Sequence, residues 1–356
     1  MSNHENYVVI GGSGFLGSYI VQALVDRAEP SVAVYDLDLP SGTDVINGAT
    51  YYAGDILDEK KLTGVLKEVS CTAVFHTVSP VHGLKDSIYF RINQQGTNSI
   101  LSACQSAGVK ILVFTSSTGV VWSGKPIRCG NEEEVQIPEI ATEAYNHTKA
   151  VAEKMVIDAN GKNGLRTAAL RPCGMIGPRD RQAMWRLADA YNNGRNTMQM
   201  GDNTNRVDFA YAGNVADAHI LTADRLKSDS ADLVAGQIFF ISNGTPLPYW
   251  NVPRMIWREM GDDGKKNVTA IPKLIMLIIA YILEFWYGIM GGEPPVRVFD
   301  VQFTTTEHWY NIDKARKLLG YEPRVGLEEA SQMMVKWWND RGAREHAEMM
   351  ENRKRK

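Results

Sequence analysis

Residues Tyr7-Val8-Val9-Ile10-Gly11-Gly12-Ser13-Gly14-Phe15-Leu16-Gly17 set the tightest limit on what this chain can fold into. A β-branched run passes into glycines at 11, 14 and 17, and helix-compatible sequence follows from Ser18 to Arg27. A strand, a tight turn and a helix start in that order aim backbone N–H groups and the positive helix end at one point, which suits a pyrophosphate. Glycines let the backbone come close, so the loop from Gly11 through Ser13, Gly14, Phe15 and Leu16 to Gly17 is the expected dinucleotide-binding segment. In isolation the loop could equally be a plain glycine turn. The next strand, Val32-Ala33-Val34-Tyr35, ends at Asp36, which lies 19 residues beyond Gly17, where a ribose-binding carboxylate belongs. Asp36 can accept hydrogen bonds from both ribose hydroxyls but repels the extra phosphate of NADP, and Leu37, Asp38 and Leu39 bring no compensating cation. NAD is therefore the expected cofactor; the alternative for Asp36 is a solvated aspartate at a strand end.

The elements after it keep the alternation that a parallel sheet requires. Thr50-Tyr51-Tyr52-Ala53 reads as a strand, Leu57 to Val69 as a helix, and Ala73-Val74-Phe75-His76-Thr77 as a strand. Asp86 to Ala107 is a long helical stretch, followed by the strand Ile111-Leu112-Val113-Phe114-Thr115 and then Ser116-Ser117-Thr118. Thr167 to Arg171 is a further strand that runs into Pro172. Strand ends are where such sheets bind ligands. The fold class is α/β, a Rossmann-type doubly wound parallel sheet with a smaller, interleaved C-terminal substrate lobe. Residues 4–173 form the dinucleotide-binding domain, to which 207–243 returns; 174–341 form the substrate lobe and 342–356 a charged tail.

Between the last two strands lies Glu143-Ala144-Tyr145-Asn146-His147-Thr148-Lys149, the start of a helix that continues to Met155. At i and i+4 a phenol and an ammonium share one helix face. Free tyrosine loses its proton near pH ~10, and an adjacent opposite charge moves such a value by roughly 1–3 units towards the charged form. The spacing predicts Tyr145 as a base supported by Lys149. An exposed helix face would show the same spacing.

Composition narrows the function classes. The 356 residues are 44% hydrophobic with a net charge of −3, as in an ordinary globular protein. Lys and Arg are mixed with Asp and Glu almost everywhere, and the one dense basic run is Arg353-Lys354-Arg355-Lys356, so no nucleic-acid partner is expected. Polar residues from Met1 to Asn6 lead straight into the first strand, which predicts no signal peptide and a chain facing the cytosol. Cys71, Cys104, Cys129 and Cys173 have neither metal-ligand nor redox-pair spacing and are expected to be reduced, buried thiols. His76, His82, His147, His219, His308 and His346 show no ligand spacing, so no metal is assigned.

Taken in order, Gly11-x-x-Gly14-x-x-Gly17, Asp55-Ile56, His76-Thr77-Val78-Ser79-Pro80, Thr115-Ser116-Ser117, Tyr145-x-x-x-Lys149 and Arg171-Pro172 resemble the extended short-chain dehydrogenases/reductases over nearly the whole chain. Within that family the chain most resembles the 3β-hydroxysteroid dehydrogenase branch, and there the sterol-4α-carboxylate 3-dehydrogenase (decarboxylating) group. The pointers are the run from Val207 to His219, Tyr310-Asn311-Ile312-Asp313-Lys314-Ala315 and Leu319-Gly320-Tyr321-Glu322-Pro323. Val78 stands where the family more usually has a small residue. The resemblance implies Tyr145 as general base, Lys149 as its electrostatic partner and ribose clamp, and Ser117 as the hydroxyl that orients the substrate oxygen. Ser116 or Thr118 could point inward in place of Ser117. It also implies cofactor contacts from Asp55, Ile56, Thr77, Val78, Ser79 and Pro172. Asn93 would either help to hold a water or backbone near Lys149, or cap and pack its helix. The implied reaction is NAD-dependent oxidation of a sterol or triterpenoid 3β-hydroxyl with loss of a 4α-carboxylate. Arg179, Arg181 and Arg206 are candidate partners for that carboxylate.

Leu274 to Leu283 is apolar on every side and is followed by Glu284 and Phe285-Trp286-Tyr287-Gly288-Ile289-Met290. Ten uninterrupted apolar residues are short of the ~20 that a membrane span needs. A buried core helix, a lid over an apolar pocket and a peripheral membrane patch with Trp286 and Tyr287 at headgroup level all fit the segment 274–290. The sterol resemblance implies the cytosolic face of the endoplasmic reticulum membrane, and otherwise the cytoplasm; it leaves room for a homodimer. The rival readings are a hydroxysteroid, triterpenoid or secondary-metabolite dehydrogenase without decarboxylation, a nucleotide-sugar epimerase or dehydratase, and a catalytically silent NAD sensor. An epimerase would want a polar, basic pocket, and the intact Ser117, Tyr145 and Lys149 argue against a silent sensor.

Overall fold

A computed structural model describes residues 5–81 and 83–355, with the side chains of 352–355 outside the description. Seven parallel strands form the main sheet: β1 (Asn6–Ile10), β2 (Ser31–Asp36), β3 (Thr50–Ala53), β4 (Ala73–His76), β5 (Ile111–Thr115), β6 (Arg166–Pro172) and β7 (Ile238–Ile241). Their spatial order is β7-β6-β5-β4-β1-β2-β3, so the order reverses between β1 and β4 and leaves a crevice beyond the carboxyl ends. Every residue of β4 and β5 is buried. Such unbroken apolar runs suit a parallel sheet covered on both faces.

The cover is two helical layers. On one face, α1 (Phe15–Asp26) sends Leu16, Ile20, Val21 and Leu24 into a core shared with Val9, Val34, Phe75 and Val113. On the other, α2 (Glu59–Glu68), α3 (Thr97–Ala107) and α4 (Ala144–Asp158) pack on Val8, Ile10, Val74, Leu112 and Phe114. Asp58 starts α2 by accepting from the Lys61 N–H at 3.0 Å, which satisfies one of the free donors of the first turn. The turns before α3 widen over Phe90–Gly96. There a Cβ on Gly96 would come within 2.3 Å of Ile56 Cδ1, so the helix approaches β3's outgoing turn as only glycine permits.

The second lobe is stitched from distant pieces, and its boundary is less simple than the sequence predicts. Residues 238–241 return to the main sheet as β7, beside β6. Val207 and Phe209 do not: Arg206–Val207 joins a four-stranded sheet with Leu247–Pro248, His308–Tyr310 and Ile127–Gly130, while Phe209–Tyr211 pairs with Gly174–Ile176. Ile127–Gly130 thus comes from the first 173 residues into a sheet of the other lobe. The buried Asp208 between the two short strands accepts from the Tyr310 N–H at 2.8 Å and donates its own N–H to the His308 carbonyl, which ties both strands to His308–Tyr310. The helix that follows, α5 (Ala212–Lys227), packs against α1 and so belongs to the main layer.

The apolar segment is one helix, α6 (Lys273–Met290), longer than the ten-residue apolar run. Only Met276 and Ala280 are buried, against Val301 of α7 (Val298–Thr305). Leu274, Ile275, Ile278, Tyr281, Ile282, Phe285, Trp286, Ile289 and Met290 are exposed. Of the three alternatives the buried core helix does not fit, because one stripe through Met276 and Ala280 packs while the opposite face is exposed among the described residues. By length and composition alone α6 could cross a membrane. Cys71, Cys104 and Cys173 are buried thiols, but Cys129 is exposed on a strand edge.

Candidate active site

A cleft of about 500 Å³ opens at the carboxyl ends of the strands. Gly11, Gly14, Phe15, Leu16, Gly17, Asp36, Thr77, Val78, Ser79, Ser117, Tyr145, Lys149 and Pro172 all line it. The glycines are obligatory here. A Cβ on Gly17 would lie 2.1 Å from the Gly11 carbonyl oxygen, and one on Gly11 would strike Thr77 Oγ1 and Val78 Cγ2 at 2.8 and 2.9 Å. Val78 thus finds its room over Gly11, which accommodates a side chain larger than the usual one. Asp36 Oδ2 accepts from the Ser13 N–H at 2.9 Å and Oδ1 from Leu37 N–H at 2.8 Å, which ties the glycine loop to the end of β2. Burial pushes the Asp36 carboxyl up, and these N–H groups oppose the shift. A loop with no room for a side chain at Gly11 and Gly17, a helix start and a strand-end carboxylate fit a dinucleotide.

Asp55 and Ile56 stand outside the cleft. Asp55 accepts from the Leu57 N–H at 2.9 Å and holds the turn after β3, while Ile56 is buried against Gly96. Ser13 lines an adjoining recess instead of the cleft itself.

The candidate catalytic groups meet where β5 and α4 converge. Ser117 starts a short turn by accepting from the Gly119 N–H at 3.0 Å, and its hydroxyl is beside the Tyr145 phenol. Of the three neighbouring hydroxyls it is the one that faces the phenol, since Thr118 turns towards Tyr310 and Ser116 is buried without a hydrogen-bond partner among the described residues. Ser79 faces the phenol from the other wall, a contact that its sequence position does not reveal. Tyr89 meets the Tyr145 ring edge-on at 5.8 Å.

Lys149 departs from the simple picture of an ammonium beside a phenol. Its Nζ donates to the Thr115 carbonyl oxygen at 2.5 Å and lies 4.2 Å from the centre of the Phe114 ring. Burial lowers its pKa to about 7, against an opposing pull from Glu153. Burial likewise raises the Tyr145 phenol, and the Ser79 and Ser117 hydroxyls pull it back down. Both shifts run against the lowered phenol expected from the i, i+4 spacing, because a dry site disfavours both charges. Asn93 donates to Thr148 Oγ1 at 2.9 Å, so it contacts the neighbour of Lys149.

The outer wall of the cleft is apolar. Val81, Trp122, Met175, Phe299 and Phe303 line it, with Trp122 edge-on to both phenylalanines at 5.5 and 5.6 Å. Phe299 and Phe303 come from α7, far from the motifs; their i, i+4 spacing was the available signal. Arg297 heads α7 and donates to Glu143 Oε1 at 2.7 Å, which joins this wall to the start of α4. A second, more open cavity of about 630 Å³ adjoins Tyr145 on the side of Leu84, Phe90 and Ile140. Arg179, Arg181 and Arg206 do not line the cleft. Arg206 is exposed, and the other two face Asp44 near the glycine loop, because the turn after Gly174–Ile176 packs on α1. Among the described residues no group of three His, Cys, Asp or Glu is placed to hold a metal.

The chain is similar to known proteins over most of its length. A profile described as the 3-beta hydroxysteroid dehydrogenase/isomerase family matches residues 8–273. The sterol-4-alpha-carboxylate 3-dehydrogenase, decarboxylating, of Saccharomyces cerevisiae is 37% identical over 349 residues, covering 96% of this chain and 99% of that one. The protein of the same description from Homo sapiens is 32% identical over 334 residues, covering 92% and 86%. Among solved structures, UDP-glucose 4-epimerase of Thermotoga maritima gives a TM-score of 0.72 at 21% identity, covering 94% of this chain and 99% of that one. UDP-glucuronic acid 4-epimerase of Bacillus cereus, in complex with NAD, gives 0.71 at 19% identity with the same coverage. At such identities the two structures speak for the Rossmann fold alone. The cleft motifs lie within the profile's span, and the chain belongs to the 3-beta hydroxysteroid dehydrogenase/isomerase family.

Proposed function

We propose that the protein is an NAD-dependent sterol-4α-carboxylate 3-dehydrogenase that decarboxylates its product. The observation that carries the proposal is the junction in one cleft of Tyr145, Ser117 and Lys149 with an apolar wall of Trp122, Phe299 and Phe303. An epimerase acting on a sugar diphosphate would need cations where these rings stand. Gly11 to Gly17 and Asp36 would hold the dinucleotide, and Asp36 favours NAD over NADP by repelling an extra phosphate. Lys149 would leave the Thr115 carbonyl for a ribose hydroxyl. When bound, the nicotinamide supplies the hydride acceptor and a positive charge that offsets the burial of the phenolate.

Tyr145 takes the proton of the 3β-hydroxyl, since loss of hydride from a secondary alcohol leaves a carbonyl only if the O–H proton also leaves. Ser117 orients that oxygen. Oxidation at carbon 3 makes the 4α-acid a β-keto acid, and the electrons of the breaking carbon–carboxyl bond then pass into the carbonyl as carbon dioxide departs. Ser117 and the reprotonated Tyr145 already donate to the oxygen on which the charge develops; removing one such donor commonly costs about 2.7–4 kcal/mol. Protonation of the enolate gives the 3-ketone.

Mass-spectrometric product analysis with NAD and a 4α-carboxysterol tests the reading. Carbon dioxide release should require NAD, and a substrate without the 3-hydroxyl should be inert. Equal oxidation of sterols lacking the 4-carboxylate, with no carbon dioxide released, would establish a simple hydroxysteroid dehydrogenase instead. The exposed apolar face of α6, with Phe285, Trp286, Ile289 and Met290 near its end, supports peripheral binding at the cytosolic face of the endoplasmic reticulum membrane. The basic tail Arg353–Lys356, a candidate for lipid attraction, has side chains outside the described residues.

A further inference from the structure

The arginines displaced from the substrate side gather at the other end of the cofactor groove. Asp44, in the turn Gly42–Asp44 after β2, accepts from Arg341 at 2.7 Å and from Arg181 at 3.0 Å. Glu345 accepts from Arg181 at 2.8 Å and also from Arg341. Those two guanidinium groups are thereby committed to two carboxylates. Arg179 is different: among the described residues its charge reaches only Asp44, at 3.8 Å, outside hydrogen-bond range. Three cations facing two anions leave one positive charge over, and it resides at Arg179.

Its position is built. The Tyr19 hydroxyl of α1 donates to the Pro178 carbonyl at 2.9 Å and pins the turn on the helix. Arg179 itself has φ +70°, a left-handed backbone that costs a residue with a side chain about 1 kcal/mol or more. The turn carries its side chain into a narrow recess whose opposite wall is Gly12, Ser13, Gly14 and Phe15. Those residues precede or open α1, where free N–H groups and the helix dipole attract an anion. A guanidinium with unused donors, facing a helix start across the recess, is placed to pair with a phosphate from the side opposite the glycine loop.

We infer that Arg179 is the cation that pairs with the cofactor's diphosphate, supplied by the substrate lobe across the groove from the glycine loop. The diphosphate is the source rather than a 2′-phosphate, because the Asp36 carboxylate already stands at the adenosine ribose and repels a second anion there. The inference rests on the dinucleotide reading of the Gly11–Gly17 loop and is independent of the sterol chemistry.

Isothermal titration of the full chain with NAD, NADP, ADP-ribose and adenosine tests it without turnover. Arg179→Gln should weaken NAD and ADP-ribose by about 10- to 100-fold, the equilibrium ratio of one charge-assisted hydrogen bond. Adenosine binding should be unchanged, which also reports that the groove is folded. Arg179→Lys should recover part of the loss, and its NAD affinity should fall with added salt as the wild type's does, since screening weakens a charge pair. Unchanged NAD affinity in Arg179→Gln, or an equal loss for adenosine, overturns the assignment. Loss confined to NADP would overturn it in favour of a 2′-phosphate contact. Should Arg179→Gln fail to fold, an Arg179→Lys chain whose NAD affinity ignores salt overturns it as well. No sterol enters the measurement, so failure of the proposed reaction would leave this outcome untouched.

Discussion

Tyr145 and Lys149 are held where burial opposes charge on either, and this sets what each substitution should do. A lysine in an unfolded chain titrates near pH ~10.4, whereas Lys149 in the folded chain does so at about 7. Below about pH 7 the folded protein bears the full cost of a buried ammonium. As pH rises from there towards ~10.4 only the unfolded chain still holds the proton, so stability rises. Ligand-free Lys149→Met should therefore melt above wild type at pH 6, and the gap should close as pH rises past 7. A wild type that melts higher at pH 6 would contradict the sign. In assays Lys149→Met should lose both turnover and NAD affinity. Tyr145→Phe should abolish turnover with NAD affinity nearly intact, because its oxygen acts in the transition state; a near-normal rate would remove Tyr145 from its role. Replacing Asp36 by Ser should narrow the NAD over NADP preference by about 1–3 kcal/mol, the worth of hydrogen bonds to a charged group. Titration of both cofactors measures this, and an NADP preference in the wild type would refute the reading of Asp36.

Between elements, α4 does more than carry Tyr145 and Lys149. One turn beyond Lys149, Glu153 accepts from Arg171 of β6 through both oxygens, at 2.6 and 2.8 Å. Both side chains are almost wholly buried. Removing one partner of such a pair strands the other charge, so Glu153→Ala should cost about 3–5 kcal/mol in urea denaturation. Replacing both by apolar residues of similar volume should cost much less; equal costs would show that the loss is one of packing. For α6 the exposure of Ile278 changes what a charge there should do. Ile278→Glu enters solvent and not a core, so the variant should fold with a wild-type melting profile yet lose flotation with liposomes. A misfolded variant from a wild type that never floats would instead place the face against protein.

At the scale of the whole molecule, what could be read from the sequence was what repeats locally. Six of the seven strands, the glycine loop and the Tyr145 helix announce themselves because each is a short local pattern bounded by turns, and the ends of such strands define a cleft in this fold. The rest depends on partners far apart in the chain. Nothing near Val207 says that it will pair with His308, nothing near Trp122 announces Phe299, and no local pattern distinguishes an arginine that meets a substrate from one that meets Asp44. The Asp44 cluster is the plainest case, drawing on residues 44, 179, 181, 341 and 345. In it the turn after β2 and the C-terminal helices share their charges: burial would raise the Asp44 carboxyl, but Arg341 and Arg181 hold it below its usual value. A lowered carboxyl contributes stability above its unfolded value of ~3.9 and loses it as pH falls through the folded one. The two segments should then behave as one unit at neutral pH. Asp44→Ala leaves Arg341 and Arg181 to the Glu345 carboxylate alone and cuts their ionic tie to the turn after β2, so hydrogen exchange should quicken both in residues 42–48 and in 338–351, while β4, β5 and β6 keep their protection. Bound NAD should slow exchange in both segments of the wild type, although the C-terminal one does not line the cleft. Faster exchange in 42–48 alone, with 338–351 unchanged, would mean that the C-terminal helices hold by Trp337 and Trp338 in their apolar cluster and that the arginines carry no coupling.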